Sequence, residues 1–257
     1  MNSNPFEPTL LIESRGAVRI VTMNRPEALN AVNPALSHAL ARVWAHLADD
    51  KEARAVVLTG AGRAFSAGGD MVMFKRIQTD KVERAHGIEE ARTIFNQVID
   101  FPLPLVAAVN GPAVGLGCTL AALCDLVYVA ESAYLSDPHV SVGLTAGDGG
   151  APFWPLTMPF AKAKELLFFG SRISAPEAVA IGLANGTTPD GQVLDKAIEV
   201  AERLAALPAQ AVQSTKRAVN LHISRGANAV LDYALAAEFQ SYDTPEHHAV
   251  VAKFLDR

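Results

Sequence analysis

Cysteine is scarce: the chain has only Cys118 and Cys124. Six positions apart in an alanine-rich stretch, they fit neither a disulfide framework nor a zinc-ligand spacing, so both are expected to be small buried apolar residues. An excess of positive charge is also missing. With 22 Lys and Arg against 27 Asp and Glu, and a formal net charge of −5, the chain offers no broad cationic surface to collect phosphates. That excludes nucleic acid as a principal partner. Long apolar runs are absent as well, none reaching the roughly 18 residues that a membrane crossing needs. The opening MNSNPFEPTL has neither the basic start nor the apolar run of a secretory signal, so no membrane partner and a cytoplasmic location are expected. What the chain does have is apolar bulk. Half of its 257 residues are hydrophobic, enough to bury a substantial core.

Two β-rich runs, 9–13 and 17–23, flank Ser14, Arg15 and Gly16 and predict a hairpin. Leu36, Leu40, Val43 and Leu47 then keep helical spacing, predicting a helix over 34–49 with Asn33 as its cap and Pro34 as its first residue. AVVLT (55–59) and LVAAV (105–109) are continuous apolar runs, as expected of strands buried on both faces, and DLVYVA (125–130) follows them. A helix is expected over 81–99 between the first two. Strands alternating with helices imply an α/β core with parallel pairings. After Pro159 the pattern turns helical, over 161–169, 175–181, 192–206, 209–223 and 227–242, with one brief extended piece near Leu183. The expected organisation is a mixed core over 1–190 and a helical C-terminal part over 191–257.

Glycine-rich loops lie just beyond two of the buried strands: GRAFSAGGD (62–70) and GPAVGLG (111–117). Ligands of open α/β sheets collect beyond the carboxyl ends of strands. A helix starting near Leu116 would present unpaired N–H groups and a positive dipole end. The loops are therefore either tight turns or a grip for an oxyanion. GLGCTL has leucine where a dinucleotide fingerprint needs its third glycine, and no phosphate-binding GxxxxGK[ST] occurs. AFSAG (64–68) is an incomplete serine-hydrolase elbow around Ser66. Further on, DPHVSVGLTAGDGG (137–150) sets His139 after a proline and Asp148 among glycines, nine positions later. His139 can exchange a proton near neutral pH. The plainer alternatives are a backbone-bonded loop histidine and an aspartate in a turn or cap. His247 and His248 precede a helical tail and are expected to be exposed; their adjacency gives no metal geometry.

NRPEALNAV (24–32), AFSAGGDM (64–71), LVAAVNGPAVGLGC (105–118) and GSRISAPEAVAIGLAN (170–185) together resemble the crotonase superfamily, the enoyl-CoA hydratase/isomerase family, from about residue 9 to the C-terminus. The resemblance implies a spiral of ββα units with a C-terminal helical region that assembles homotrimers, often paired into hexamers. It implies an acyl-CoA thioester as substrate, and no cofactor other than the coenzyme A that the substrate carries. It places the two oxyanion-hole N–H groups at Gly69 and Leu116 and sets Ala28 and Leu29 along coenzyme A; Ala67, Asp70 and Thr119 are expected at the substrate, and Trp154 in the core or on the wall of the acyl pocket.

The departure from the family pattern is in the acid and base. Where similar hydratases carry two glutamates, this sequence has Thr119 and His139. Asp148 stands close to where other branches place a catalytic aspartate, and the His139/Asp148 pair also resembles that of a carbon–carbon bond-cleaving member. The expected chemistry is an enolate or related oxyanion held by Gly69 and Leu116, with His139, supported by Asp148, moving the proton. Isomerisation, hydration through a modified pair and hydrolytic or retro-Claisen cleavage stay open. Two further alternatives are Asp148 as nucleophile of a thioester hydrolase or dehalogenase, and a non-catalytic acyl-CoA-binding oligomer.

Overall fold

The computed structural model describes residues 4–256. Its main sheet begins with the expected hairpin. Strands β1 (Leu10–Arg15) and β2 (Val18–Met23) pair antiparallel, from Leu10 opposite Met23 to Arg15 opposite Val18. Gly16 supplies the left-handed φ of +57° that so tight a turn requires. From β2 onward every pairing in this sheet is parallel, through β3 (Ala55–Gly60), β4 (Leu105–Val109), β6 (Leu126–Ala130) and β9 (Gly186–Thr188). All residues of β3 and β4 are buried, which is what an uninterrupted apolar run in a central parallel strand requires. A second, small sheet joins β5 (Ala113–Val114), β7 (Tyr134–Ser136) and β8 (Ile173–Ser174).

Helices make the crossovers: α1 (Pro34–Leu40) and α2 (Val43–Ala48) before β3, then α3 (Met71–Ile77) and α4 (Lys81–Asp100) before β4, and α5 (Leu116–Leu123) before β6. Past β7 come α6 (Gly150–Phe153), α7 (Phe160–Phe169), α8 (Ala175–Ala180), α9 (Val193–Ala205), α10 (Ala209–Ser241) and α11 (Pro245–Leu255). Of the last three, α9 lies across β3 and β4, while α10 packs on α4 and α6. No helix among the described residues is long and apolar enough to cross a membrane. Both cysteines are buried and unpaired, as expected.

Several elements differ from the sequence expectation for identifiable reasons. The helix over 34–49 is capped by Asn33, whose side chain accepts from the Leu36 amide, but it breaks into α1 and α2. At the break the Arg42 amide bonds back three residues to the Ala39 carbonyl, a tightened turn that apolar spacing does not reveal. The reverse happens at Gly226. The helices expected over 209–223 and 227–242 are one 33-residue helix, because this glycine marks a close contact and not a break. A Cβ there would lie 2.7 Å from the Leu156 side chain. Helix α3 was not anticipated. Asp70 starts it by accepting from the Val72 amide at 3.0 Å, so the end of the first glycine loop doubles as a helix cap. The extended piece near Leu183 is β9, three residues further on, and continues the main sheet.

Candidate active site

The two glycine loops are bound to each other and to the turn before α1. Residues 66 to 70 form parallel bridges on both sides, Gly69 with Val32 and Ser66 with Ala113. Val32 donates to the Gly68 carbonyl at 2.7 Å, Asp70 donates back to Val32 at 3.1 Å, and Val114 donates to Ser66 at 2.9 Å. The spacing allows only glycine. Gly68 has φ +83°, and a Cβ on it would stand 2.7 Å from the Val114 carbonyl oxygen, while a Cβ on Gly117 would meet the Ser66 side chain at 2.6 Å. Ser66 is fully buried, donating to the Asn30 carbonyl at 2.8 Å and accepting from the Gly68 amide at 3.2 Å. Its hydroxyl is committed to holding the loop, which removes it as a nucleophile.

This clamp leaves two amides unused. In a parallel bridge the Gly69 N–H points away from its Val32 partner, and Leu116 is the first residue of α5, where a helix leaves its N–H groups unpaired. Neither amide donates a hydrogen bond among the described residues. Both residues line a cavity of about 420 Å³ between α3, α4 and the turn after β7. Met73, Phe74, Ile77, Ile88 and Leu144 make much of its wall apolar. Ala67 lines it too. The Phe74 ring closes over Gly69, 2.2 Å from where a Cβ would be, so a side chain at position 69 would displace that ring.

The cavity's charged end is built by residues distant in the chain. His139 begins a short turn after β7 and is 7% exposed; its Cε1 lies 3.7 Å from the Cβ position of Gly115, next to the Leu116 amide. Its Nε2 is 3.6 Å from Asp148 Oδ2, so the two predicted side chains do meet. The closer partner, however, is Asp137, whose carboxylate bonds His139 Nδ1 and also accepts from the His139 amide at 3.3 Å. Burial works against a charged ring here. The flanking Asp137 and Asp148 carboxylates outweigh it and hold the imidazole well above its ordinary pKa. Glu238, from α10, also reaches the cavity and is 4% exposed. Burial, and then the nearby Asp148 carboxylate, push its pKa up to about 8.

Thr119 is buried behind this end and outside the cavity lining, where its Oγ1 donates to Asp148 Oδ1 at 3.3 Å. Ala28 and Leu29 form a short turn whose Leu29 carbonyl accepts from Ala67, so they brace the first loop without lining the cavity. Asp70 faces Arg25 at 3.3 Å, and Trp154 is buried in the hydrophobic core; neither lines the cavity. His247 departs from the expected exposure. It is fully buried, with Nδ1 donating to the Val142 carbonyl at 2.8 Å and its ring edge-on to Tyr242, because α11 folds back over the turn that follows His139. Its neighbour His248 is exposed.

Asp137 and Glu238 were missed by sequence reasoning, although each leaves a trace. An aspartate two residues before a histidine is placed to bond that residue's backbone, as Asx turns do. Glu238 continues the buried stripe Leu231, Ala234, Leu235 at helical spacing, and a carboxylate on an apolar stripe is out of place unless it has work there.

An α/β fold whose cavity gathers ionisable groups beside free main-chain donors is that of an enzyme. A family model described as enoyl-CoA hydratase/isomerase matches residues 13–255, so the chain belongs to the enoyl-CoA hydratase/isomerase family, which acts on acyl-CoA thioesters, and it has that family's crotonase fold. The short-chain-enoyl-CoA hydratase of Clostridium acetobutylicum is 35% identical over 234 residues, 91% of this chain and 87% of that protein. The crystal structure of an enoyl-CoA hydratase/isomerase from Mycobacterium paratuberculosis is 51% identical, with a TM-score of 0.93 over 95% of this chain and 98% of its own. A monofunctional enoyl-CoA isomerase from Mycobacterium smegmatis is 31% identical, with a TM-score of 0.72 over 84% of this chain and 94% of its own. Relatives named for different reactions leave the choice of reaction to the site.

Proposed function

We propose that the cavity binds an acyl-CoA thioester with its carbonyl oxygen between the Gly69 and Leu116 N–H groups, and that His139 and Asp148 move a proton on the acyl chain beside it. The single observation that carries this is the convergence of two unpaired amides and the His139/Asp148 pair in one cavity. Two aligned donors stabilise the negative charge that gathers on the thioester oxygen when an α-proton leaves, and one such donor is worth about 3 kcal/mol to the transition state. Asp137 fixes the ring through Nδ1 and leaves Nε2 toward Asp148, so the pair takes up and returns a proton on one side of the chain. Thr119 steadies Asp148 and is no acid or base itself. One group that removes and returns a proton suits isomerisation first, then hydration through a modified pair, then hydrolytic or retro-Claisen cleavage.

The test is solvent-deuterium exchange at the acyl α-carbon with saturated acyl-CoAs of several chain lengths. Exchange that vanishes in His139→Ala while thioester binding stays intact supports the proposal. Binding without exchange at every chain length overturns it in favour of a non-catalytic acyl-CoA-binding protein, and a trapped covalent aspartyl species overturns it in favour of Asp148 as nucleophile. We also propose assembly through the C-terminal region to a homotrimer or hexamer. Val219, Val230 and Tyr233 on α10 are exposed apolar residues that a neighbouring subunit would cover, and light scattering measures the outcome.

A further inference from the structure

Glu238 has no part in the chemistry proposed so far, yet it sits in the same cavity. Its position on α10 continues the stripe of Leu231, Ala234 and Leu235, where packing alone would favour another apolar side chain. Its Oε2 is buried without any hydrogen-bond partner among the described residues, facing the Gly147 backbone, where a Cβ would lie 2.7 Å away. Among the described residues no lysine or arginine acts on it, and the one cationic influence is the His139 ring. The groups around it are Asp148, His139 and Asp137 from the loops and Tyr242 just past the end of its own helix, and His139 is itself shared between the two aspartates. A carboxyl in this setting keeps its proton at neutral pH, its pKa being pushed up to about 8.

A protonated carboxyl is a donor, and apart from the His139 ring, which the proposed proton transfer engages, this end of the cavity offers no other that is free. Asp148 only accepts, both ring nitrogens of His139 face aspartates, and the Tyr242 hydroxyl lies against Glu238 itself. The thioester oxygen is already provided for by the two amides. We infer that Glu238 is a specificity-determining residue, whose carboxylic acid donates a hydrogen bond to a second oxygen carried on the acyl chain beyond the thioester carbonyl. The inference rests on the acyl-CoA reading of the cavity and narrows it to oxygenated acyl groups. An apolar chain would leave the buried acid without a partner, and a site built around a polar contact rejects the analogue that lacks it.

The experiment compares equilibrium binding of hexanoyl-CoA with that of oxohexanoyl-CoAs carrying one ketone at successive carbons, since a ketone oxygen accepts and never donates. Wild type is expected to bind at least one oxo compound about tenfold more tightly than hexanoyl-CoA. Glu238→Gln, whose amide still donates, keeps part of that preference, and Glu238→Leu abolishes it. In wild type the preference fades as pH rises past about 8, where the acid ionises. Wild type binding all the thioesters equally overturns the inference and leaves the acyl-CoA reading standing, as does a preference that survives in Glu238→Leu or persists above that pH. Binding of none of the thioesters overturns both. Should Glu238→Leu fail to fold, the wild-type comparison and its pH course decide alone.

Discussion

The two halves of the site are made of different material. The proposed cradle for the thioester oxygen is main chain: Gly69 and Leu116 offer amides, and the loops are set by bridges and by glycines at 68 and 117 with no room for a Cβ. The wall opposite is side chain: His139, Asp148 and Glu238 line it, Asp137 bonds the His139 ring from behind, and the two aspartates raise the pKa values of His139 and Glu238. Main-chain donors do not change with the residue that carries them, so leucine serves at position 116. Side chains are replaceable, so the wall is where one fold changes its reaction.

The largest effect should come from the wall. His139→Ala is expected to lower α-carbon exchange by about 10²–10⁴-fold while thioester binding persists, because it removes the proton carrier and not the cradle. Gly68→Ala tests the cradle itself. With φ at +83° and the Val114 carbonyl in the way, the loops must separate, and the turnover rate should fall about 10²–10³-fold with the melting temperature also reduced. If Gly68→Ala hurts less than losing Asp148, the cradle is not the part that matters most.

Asp137→Asn sharpens the comparison within the wall. Burial would then meet less opposition, the His139 pKa should fall, and NMR titration of the ring or the pH–rate profile would show the shift to lower pH. Glu238 makes a matching prediction for stability. Its folded pKa is raised from 4.5 to about 8, so its contribution is fully present below the unfolded value and is lost as pH rises through that window. His139, also raised, acts in the same direction. Thermal melts should therefore weaken from mildly acidic to alkaline pH, by at most about 1.4 kcal/mol per unit for each group, and Glu238→Gln should flatten the slope. The smallest effect is expected for Thr119→Val, which removes one hydrogen bond to Asp148 and should cost about 1 kcal/mol of stability.

The same division explains what was legible. Buried parallel strands announce themselves as AVVLT and LVAAV, and the glycine loops stand out because main-chain geometry leaves a compositional mark. His139 and Asp148 were visible as a pair because the turn between them is short. Their true arrangement was not, since whether Asp137 or Asp148 takes Nδ1 depends on rotamers and on Gly150, whose Cβ would fall 2.0 Å from Asp137 Oδ2. Glu238 lay beyond reach for another reason. Nothing local brings a residue of α10 to a loop that far upstream; the packing of α10 against α4 and α6 does. At Arg42 and Gly226 local pattern misled, because a tightened turn and a close helix contact look in sequence like continuity and interruption.

His247 has a consequence for how the molecule comes into being. By pressing on Gly143 and bonding Val142, it braces the turn that carries His139. During synthesis the segments of the amide cradle leave the ribosome long before Glu238 and His247 do. The turn that holds His139 is thus completed by α11, which emerges later still.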